Sequence, residues 1–293
     1  MHSWPFSNSI PDTMPQKVAI LLTVYNRREK TLECLKACYE QIDGMKAGGE
    51  YVFRIYMVDD GSSDGTSEAV RDIFPQTEIL RSNGGLFWNQ GMRLAWERAS
   101  EDNPDFYLWI NDDTILKEGA IACLMETSTF LRHKAIVVGT AEDNKGELSY
   151  GGRSLSGRIV VPDSTLPVTC QTFNGNLVLV PHHVFRILGN LDEHYQHSFG
   201  DYDYGVRAEK NNIVRVVAPG VLCVCNRNPG IPRWKNRHYS LSERIASLRG
   251  PKGRPPKEQF LYDCRSRNVV FAIAHYVSIC LQVLFPRRYS KDE

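Results

Sequence analysis

Short apolar runs of strand length alternate with segments that have helical periodicity, and this alternation constrains the fold more than any other feature of the chain. Residues 17–25, KVAILLTVY, form a nearly continuous apolar run, which is typical of a strand buried on both faces. Further strands are predicted at residues 51–58, 77–80 and 105–110, with helices at 27–42, 66–74 and 88–99 between them. The pattern predicts an α/β fold with an open, mostly parallel sheet and helices on both faces.

Beyond residue 135 the alternation weakens. Residues 135–142 read as a strand and residues 146–162, GELSYGGRSLSGRIVVP, as a hairpin or a flexible flap. The remaining predicted elements are a strand at 176–181, helices at 182–188 and 201–211, and a strand at 213–225. No internal repeat and no clear linker divides the chain.

Polar side chains follow three of the predicted strands. The first strand ends in TVYNR, the second in Asp59 and Asp60, and the strand at 105–110 in Asn111, Asp112 and Asp113. Ligands of open parallel sheets bind at the carboxyl ends of the strands, so these loops are expected to meet. Either acidic pair alone would fit a turn or a helix N-cap. Two such pairs on one sheet predict a nucleotide diphosphate site with Mg²⁺ or Mn²⁺ as cofactor.

Several other classes of protein lack support in the sequence. No G-x-G-x-x-G follows the first strand and no P-loop occurs, which excludes those two nucleotide motifs. The eight cysteines include no C-x-x-C pair, so reduced core thiols are favoured over disulfides or a zinc site. The first sixteen residues have no secretory pattern, and a cytoplasmic location is therefore expected.

The charge of the chain is unevenly distributed. Residues 226–293 contain 14 Lys and Arg against 5 Asp and Glu, whereas the rest of the chain is acidic. This basic segment includes an apolar stretch at 268–285 that is flanked by Arg265, Arg267, Arg287 and Arg288. Two interpretations stay open: a peripheral contact with a membrane surface, and a last helix that packs on the domain.

Six segments together resemble the family 2 glycosyltransferases, which have the GT-A fold. They are LLTVYNRREKTLECLKACYEQ, YMVDDGSSDGT, NGGLFWNQGMRLAWERA, YLWINDDT, NGNLVLVP and FGDYDYGVRAEKN, in the order and spacing of that family. Within the family the chain is most similar to bacterial rhamnosyltransferase-type enzymes of surface polysaccharide synthesis. The resemblance implies a tail at 1–16, a Rossmann-like GT-A catalytic domain at 17–225, and a basic C-terminal extension at 226–293.

The resemblance assigns roles to the residues at the strand ends. Thr23, Tyr25 and Arg27 match positions that line the nucleotide pocket, and Asp60, with Asp59 beside it, matches the carboxylate that reads base and ribose. The segment NDD matches the D-x-D motif, with Asp113 as metal ligand and Asp112 near the ribose or sugar. Asn111 stands where a first Asp often occurs, so metal affinity is expected to be lower.

The resemblance also implies a catalytic base. Asp201 falls on the base position, Gly200 falls where a Glu usually precedes it, and Asp203 is the fallback.

Weaker assignments concern loops around the site. Donor contacts are expected from Asn83, Gly84, Gly85, Trp88 and Asn89, with a strand-to-helix turn as the alternative. Asn174 and Gly175 resemble the family's segment beneath the donor sugar, His238 lies where some relatives place a further metal ligand, and Lys252 and Arg254 resemble a phosphate-facing loop.

The expected activity is an inverting transfer of a sugar from a UDP- or dTDP-sugar to a hydroxyl of a glycan or of a polyisoprenoid-diphosphate-linked acceptor. A sugar nucleotidyltransferase and a non-catalytic nucleotide- or glycan-binding module are the alternatives. Nucleic acid is not an expected partner, because the body is acidic and the basic segment has no recognised motif. The protein is expected in the cytoplasm, with contact to the inner face of the membrane as an option.

Overall fold

The computed structural model of the protein describes residues 14–46, 48–227 and 230–286. Most of the predicted tail at 1–16, together with Arg287 and Arg288, lies outside the described residues. The described strands are β1 (Gln16–Val24), β2 (Tyr51–Asp59), β3 (Glu78–Arg81), β4 (Phe106–Ile110), β5 (Ile115–Leu116), β6 (Ala135–Glu142), β7 (Leu148–Tyr150), β8 (Gly152–Arg153), β9 (Val168–Thr169), β10 (Thr172–Phe173), β11 (Leu177–Pro181) and β12 (Val214–Val224). The described helices are α1 (Arg28–Lys46), α2 (Thr66–Ile73), α3 (Phe87–Glu101), α4 (Ala120–Phe130), α5 (His182–Leu188), α6 (Gly200–Lys210), α7 (Leu241–Arg249), α8 (Pro256–Ser266) and α9 (Val269–Leu284).

The central sheet has the strand order β3-β2-β1-β4-β11-β6-β12-β5. Strands β3, β2, β1 and β4 run parallel, and β6 runs parallel to β12. Strand β11 lies between these two groups and is antiparallel to both β4 and β6. The predicted α/β fold with a mostly parallel sheet is therefore confirmed.

Both faces of the sheet are covered by apolar layers, which explains why the strands read as continuous apolar runs. On β1, Ile20 and Leu22 belong to the layer that includes Leu35 of α1. Leu21, which points the other way, belongs to the layer that includes Trp96 of α3. Successive side chains of a strand point to opposite faces, so β1 contributes apolar side chains to both layers.

The basic C-terminal segment forms three helices, of which α8 packs on the α/β domain. Helix α7 begins with a capping box, in which Ser240 and Glu243 each accept from the other's backbone N–H. Trp234, Leu248 and Ile279 build a small apolar cluster between α7 and α9. Helix α8 lies against α6, and α9 lies against α8. No described helix is both long and apolar enough to cross a membrane.

Candidate active site

The ends of β1 and β2 are joined by hydrogen bonds between their loops. Val24, the last residue of β1, is paired with Asp59, the last residue of β2. Beyond these strands, the backbone N–H of Asn26 donates to the Ser62 hydroxyl at 2.9 Å, and the Asn26 side-chain oxygen accepts from the N–H of Ser63 at 2.8 Å. Asn26 adopts a left-handed backbone conformation with φ 50°. The two loops are thereby held together at one edge of the sheet.

Arg27 connects these loops with the acidic pair that follows β4. Its Nη1 atom donates to Oδ1 of Asp112 at 2.9 Å and to Oδ2 of Asp113 at 2.8 Å. Burial raises the pKa of Asp112 to about 6, although the positive charge of Arg27 acts in the opposite direction. One guanidinium therefore pairs with two adjacent carboxylates, and the predicted convergence of the loops after β1 and β4 is present in the structure.

The environment of Asp113 fits a divalent cation that arrives with a diphosphate. Its carboxylate is partly exposed, and the thiol of Cys225 donates to its second oxygen at 3.6 Å. Within the described part of the chain, no group of three or more His, Cys, Asp or Glu side chains is arranged to hold a metal. Mg²⁺ commonly takes one or two protein carboxylates and completes its shell with phosphate oxygens and water, so Asp113 and Asp112 suffice.

His238 does not support the predicted second metal ligand. It is exposed, and its backbone N–H donates to Asn236. It belongs to no ligand cluster with Asp113 among the residues that the structure describes. We therefore retain only the acidic pair for a metal.

Asn111 has a different role from the Asp that often stands at its position. Its side-chain oxygen accepts a hydrogen bond of 2.7 Å from the indole N–H of Trp88. The Trp88 ring also packs edge to face on Trp109. A Cβ atom added at Gly175 would lie 2.5 Å from this ring, so position 175 has room only for glycine. Asn111 thus fixes the tryptophan between the acidic pair and the start of β11.

Asp201 lies on the other side of Gly175. Its two carboxylate oxygens accept from the backbone N–H groups of Gly175 at 2.9 Å and of Tyr202 at 2.8 Å. Burial raises the pKa of Asp201 to about 6, against the lowering effect of these amide donors. Such a carboxylate is mostly ionised at neutral pH and still basic enough to take a proton. The geometry and the raised pKa both suit a general base.

A polar network beside Asp201 contains two residues that the sequence did not single out, Arg153 and Tyr202. Nε of Arg153 donates to the Asn174 side-chain oxygen at 2.9 Å, and the Asn174 amide donates to the Tyr202 hydroxyl at 3.1 Å. The predicted site residue Asn174 therefore lies beside Asp201, and its side chain binds Arg153 there. Only their position in space identifies Arg153 and Tyr202, since each is an ordinary residue of a predicted hairpin or helix.

The sequence predicts that Asp59 and Asp60 face an open nucleotide pocket, but both side chains are buried in the structure. Asp59 is almost completely buried, and its oxygens accept from the backbone N–H of Ser62 and from the hydroxyl of Ser67. Asp60 accepts from the N–H groups of Leu86 at 3.0 Å and Phe87 at 2.8 Å. Both carboxylates organise neighbouring loops, because a buried carboxylate must find donors. A contact of Asp60 with a base or ribose stays a prediction.

The loop at 82–87 presents its glycines at the rim of the site. A Cβ atom at Gly61 would lie 2.8 Å from the backbone nitrogen of Gly84, so the two loops touch backbone to backbone. Asn83, Gly84 and Gly85 are exposed, in keeping with their predicted availability to a donor.

Asn89 is corrected from a donor contact to a structural residue. It is completely buried, and its amide donates to the carbonyl oxygens of Asp192 at 2.8 Å and Tyr195 at 2.6 Å. A Cβ atom at Gly200 would overlap the Asn89 side-chain oxygen. The side chain of Asn89, which belongs to α3, therefore occupies the space that the Glu expected at position 200 would need. This explains why residue 200 is glycine.

Asp203, the predicted fallback base, is an internal ion-pair partner. It is completely buried, and it binds Arg265 of α8 at 3.0 Å and Arg207 at 2.9 Å. The Tyr195 hydroxyl also donates to it at 3.2 Å. With its oxygens committed to these groups, Asp203 ties α8 to α6, and Asp201 stays the predicted base.

Lys252 lies near a histidine that sequence reasoning missed. The pKa of His197 is lowered to about 4, first by burial and then by the positive charges of Lys252 and Arg27. This neutral imidazole accepts from the backbone N–H of Trp88 at 3.4 Å. The charges of Lys252 and Arg27 both act on this imidazole, so the two cations lie at the same end of the site.

Three predicted site residues remain, namely Arg254, Tyr25 and Thr23. Arg254 donates to the side-chain oxygen of Gln259, a residue of α8. Tyr25 is 51% exposed, which leaves its ring accessible to a ligand. Thr23 packs its hydroxyl against the backbone of Gly91.

Comparisons with known proteins agree with this architecture. Residues 19–195 match the family described as Glycosyl transferase family 2. No curated protein matches the chain. Residues 1–349 of TarS from S. aureus, solved in complex with UDP-GlcNAc, are 15% identical, with a TM-score of 0.55 over 94% of this chain and 74% of that chain. The mannosyltransferase PcManGT from Pyrobaculum calidifontis, solved with GDP-Man and Mn²⁺, is 17% identical, with a TM-score of 0.53 over 94% and 74%.

Proposed function

Because the chain belongs to glycosyltransferase family 2 and is a nucleotide-sugar-dependent enzyme, we propose that it performs an inverting transfer from a UDP- or dTDP-sugar. The acceptor is a hydroxyl of a glycan or of a lipid-linked saccharide in surface polysaccharide synthesis, and rhamnose is among the candidate sugars. One observation carries the proposal: Asn111, Trp88 and Gly175 form a continuous contact between the acidic pair and Asp201.

Asp201 acts as the general base in this proposal. The acceptor hydroxyl attacks the anomeric carbon from the side opposite the diphosphate, and Asp201 accepts the hydroxyl proton. Its oxygens are held by two backbone amides, so the carboxylate is oriented before the acceptor arrives.

The leaving diphosphate is stabilised at the other end of the site. Arg27 and Lys252 supply positive charge there. Asp113 and Asp112 would hold a Mg²⁺ or Mn²⁺ ion, which when bound neutralises the developing negative charge on the diphosphate. Since Arg27 pairs with both carboxylates, a bound cation would lie beside its guanidinium on the same acidic pair.

The test is calorimetric titration of UDP, dTDP and GDP, each with and without Mn²⁺. We expect one nucleotide to bind the wild-type protein, and we expect Mn²⁺ to strengthen that binding about tenfold or more through its bond to the diphosphate. Asp113→Ala should abolish the effect of Mn²⁺, and Asp201→Asn should leave nucleotide binding unchanged. If none of the nucleotides binds in either condition, the donor site proposed here is wrong.

The exposed face of α9 supports a membrane contact in this function. Val270, Ile273 and Val277 are 78%, 54% and 51% exposed, and α9 contains no charged residue. The Arg267 guanidinium lies 5.9 Å from the centre of the Phe271 ring, at the edge of this face. An apolar helix face with cations at its rim suits the surface of an anionic membrane.

A second copy of the chain fits this face less well. A helix of 16 residues is roughly 24 Å long, and a face roughly 10 Å wide then offers about 240 Å². Stable protein interfaces bury about 800 Å² on each partner. We therefore place α9 in the plane of the inner membrane surface, where a lipid-linked acceptor would be available to a cytoplasmic enzyme.

A further inference from the structure

A cavity adjoins the polar network beside Asp201 and shares Arg153 with it. Its volume is about 560 Å³, and its polar lining consists of Ser149, Tyr150, Arg153, Arg158 and Arg227. Three of these five side chains are arginines, and the lining includes no Asp or Glu. A concave surface with this composition attracts anions.

The backbone at this cavity is shaped by a bulge. Between β6 and β7, Ala141 pairs with Tyr150 and the next residue, Glu142, pairs with Leu148, so Ser149 is the extra residue. Bulges redirect side chains and occur next to binding sites. Ser149 is 2% exposed, and its hydroxyl oxygen has no hydrogen-bond partner among the described residues. Because this oxygen is itself buried, the groups of the lining that a ligand can reach are the exposed side chains of Arg158 and Arg227.

Arg153 links the cavity to the reaction centre. The same side chain that lines the cavity donates to Asn174, and its charge lowers the pKa of Asp201. Asn174 precedes Gly175, whose N–H donates to Asp201. A molecule bound to Arg153 would therefore be linked to Asp201 through Arg153, Asn174 and Gly175.

We propose that this cavity binds an anionic group, a phosphate or a carboxylate, carried by the acceptor. The proposal rests on the proposed function for its identification of the acceptor. Guanidinium groups bind planar carboxylates and phosphates through paired hydrogen bonds, which explains why the lining uses arginine. The donor diphosphate is a poor alternative, because none of the strand-end residues around Arg27 lines this cavity.

The test measures direct binding of small probes by calorimetry. Glycerol 3-phosphate presents a phosphate, glucuronate presents a sugar carboxylate, and glucose is the neutral control. The variant is Arg158→Ala with Arg227→Ala, since both side chains are exposed and the double substitution should not disturb folding. A double substitution of Arg71 and Arg186 to Ala, two exposed arginines outside the cavity, is the matched control for charge.

We expect one of the two anions to bind the wild type and the control variant, and to bind the cavity variant about tenfold or more weakly. The anion that binds identifies the class of acceptor. Glucose should not bind, and UDP should bind all three proteins equally. Equal affinity of the anion for wild type and cavity variant, or no binding of either anion, would overturn the proposal. Anion binding without any nucleotide binding would uphold the cavity and overturn the proposed donor site instead.

Discussion

The indole N–H of Trp88 donates a hydrogen bond of 2.7 Å to the side-chain oxygen of Asn111. This bond assigns a function to the one residue of the NDD segment that departs from the acidic pattern of the family. A neutral amide at this position holds the tryptophan without adding a third negative charge beside Asp112 and Asp113. The position therefore contributes to the shape of the site, whereas its two neighbours determine the charge.

Asn111→Asp should strengthen metal binding and keep the tryptophan in place. A carboxylate can accept the same indole N–H, and it adds a negative charge next to the acidic pair. We expect Mn²⁺ to bind the nucleotide complex about threefold to tenfold more tightly, measured by titrating Mn²⁺ into protein saturated with nucleotide. Asn111→Leu is the control, because it removes the acceptor without adding charge. A weaker Mn²⁺ affinity in Asn111→Asp would contradict this role.

Asp201→Asn should lower kcat by about 10²- to 10⁴-fold, because the amide cannot accept the acceptor's proton. Asp203→Asn is the matched control two residues away. It should lower the free energy of unfolding by about 2 kcal/mol through its lost ion pairs, with a much smaller effect on kcat. Steady-state kinetics and urea unfolding separate the two effects. An equally inactive but stable Asp203→Asn enzyme would reopen the assignment of the base.

The pH profile should show the titration of Asp201. Its pKa is raised to about 6, so the protonated, inactive form accumulates as the pH falls below that value. We expect kcat/KM to be level above about pH 7 and to fall about tenfold per unit below the pKa. Asp112 also has a pKa raised to about 6. The profile of Asp112→Asn should therefore keep the same acid limb, and its disappearance would assign the titration to Asp112.

Gly200→Ala should destabilise the protein, since the added Cβ atom would overlap the buried side chain of Asn89. Overpacking of this kind costs about 1–3 kcal/mol of unfolding free energy, which urea denaturation can measure. Gly44→Ala is the control, because nothing lies within 4 Å of a Cβ atom there and the residue is in the exposed part of α1. That substitution should stabilise by up to about 1 kcal/mol. Equal stability of the two variants would show that Asn89 can move aside.

Val270→Glu combined with Val277→Glu should release the protein from anionic vesicles. Two charges on the exposed face of α9 oppose its insertion among lipid headgroups. We expect the wild-type protein to sediment with vesicles that contain about 30% phosphatidylglycerol, because each basic residue near an anionic surface contributes about 1 kcal/mol to the binding free energy. The variant should stay in the supernatant. Phe130→Glu and Leu155→Glu place the same charges on exposed apolar positions elsewhere. If wild type forms a dimer that the α9 variant dissociates, the face binds a second copy instead.

The sequence predicted the elements whose pattern is local and left out those that depend on distant contacts. The strand at 17–25 and the loops after it were recognisable because continuous apolar runs end in polar residues at the sheet edge. Helix α4 was missed, since most of its residues, AIACLMETSTF, are apolar or small and leave no clear polar face. Strand β11 was predicted as a strand, but nothing in its five residues specifies that it runs antiparallel to its neighbours.

The same limit applies to the site. Asp113, Asp201 and Arg27 could be named from sequence because each lies in a motif. The roles of Asp59, Asn89 and Asp203 came out differently because burial decides whether a polar group contacts ligand or protein, and burial is a property of the whole fold. Arg153 and His197 could not be named at all. Each matters through a neighbour that is more than 20 residues away in sequence.

The antiparallel direction of β11 divides the site between segments whose sequence is constrained by the sheet and a segment whose sequence can vary more freely. Leu177, the first residue of β11, pairs with Ile110, the last residue of β4, so Asn174 and Gly175 reach the ligand edge from the preceding segment. That segment, residues 143–173, adds only the short strands β7 and β9 to the sheet, and it carries two of the three arginines of the basic cavity, Arg153 and Arg158. Insertions or replacements there would leave the registers of β1, β2 and β4 intact. Divergence between related enzymes in the molecule that receives the sugar is therefore expected to concentrate in this stretch, while the segments that hold the nucleotide evolve slowly.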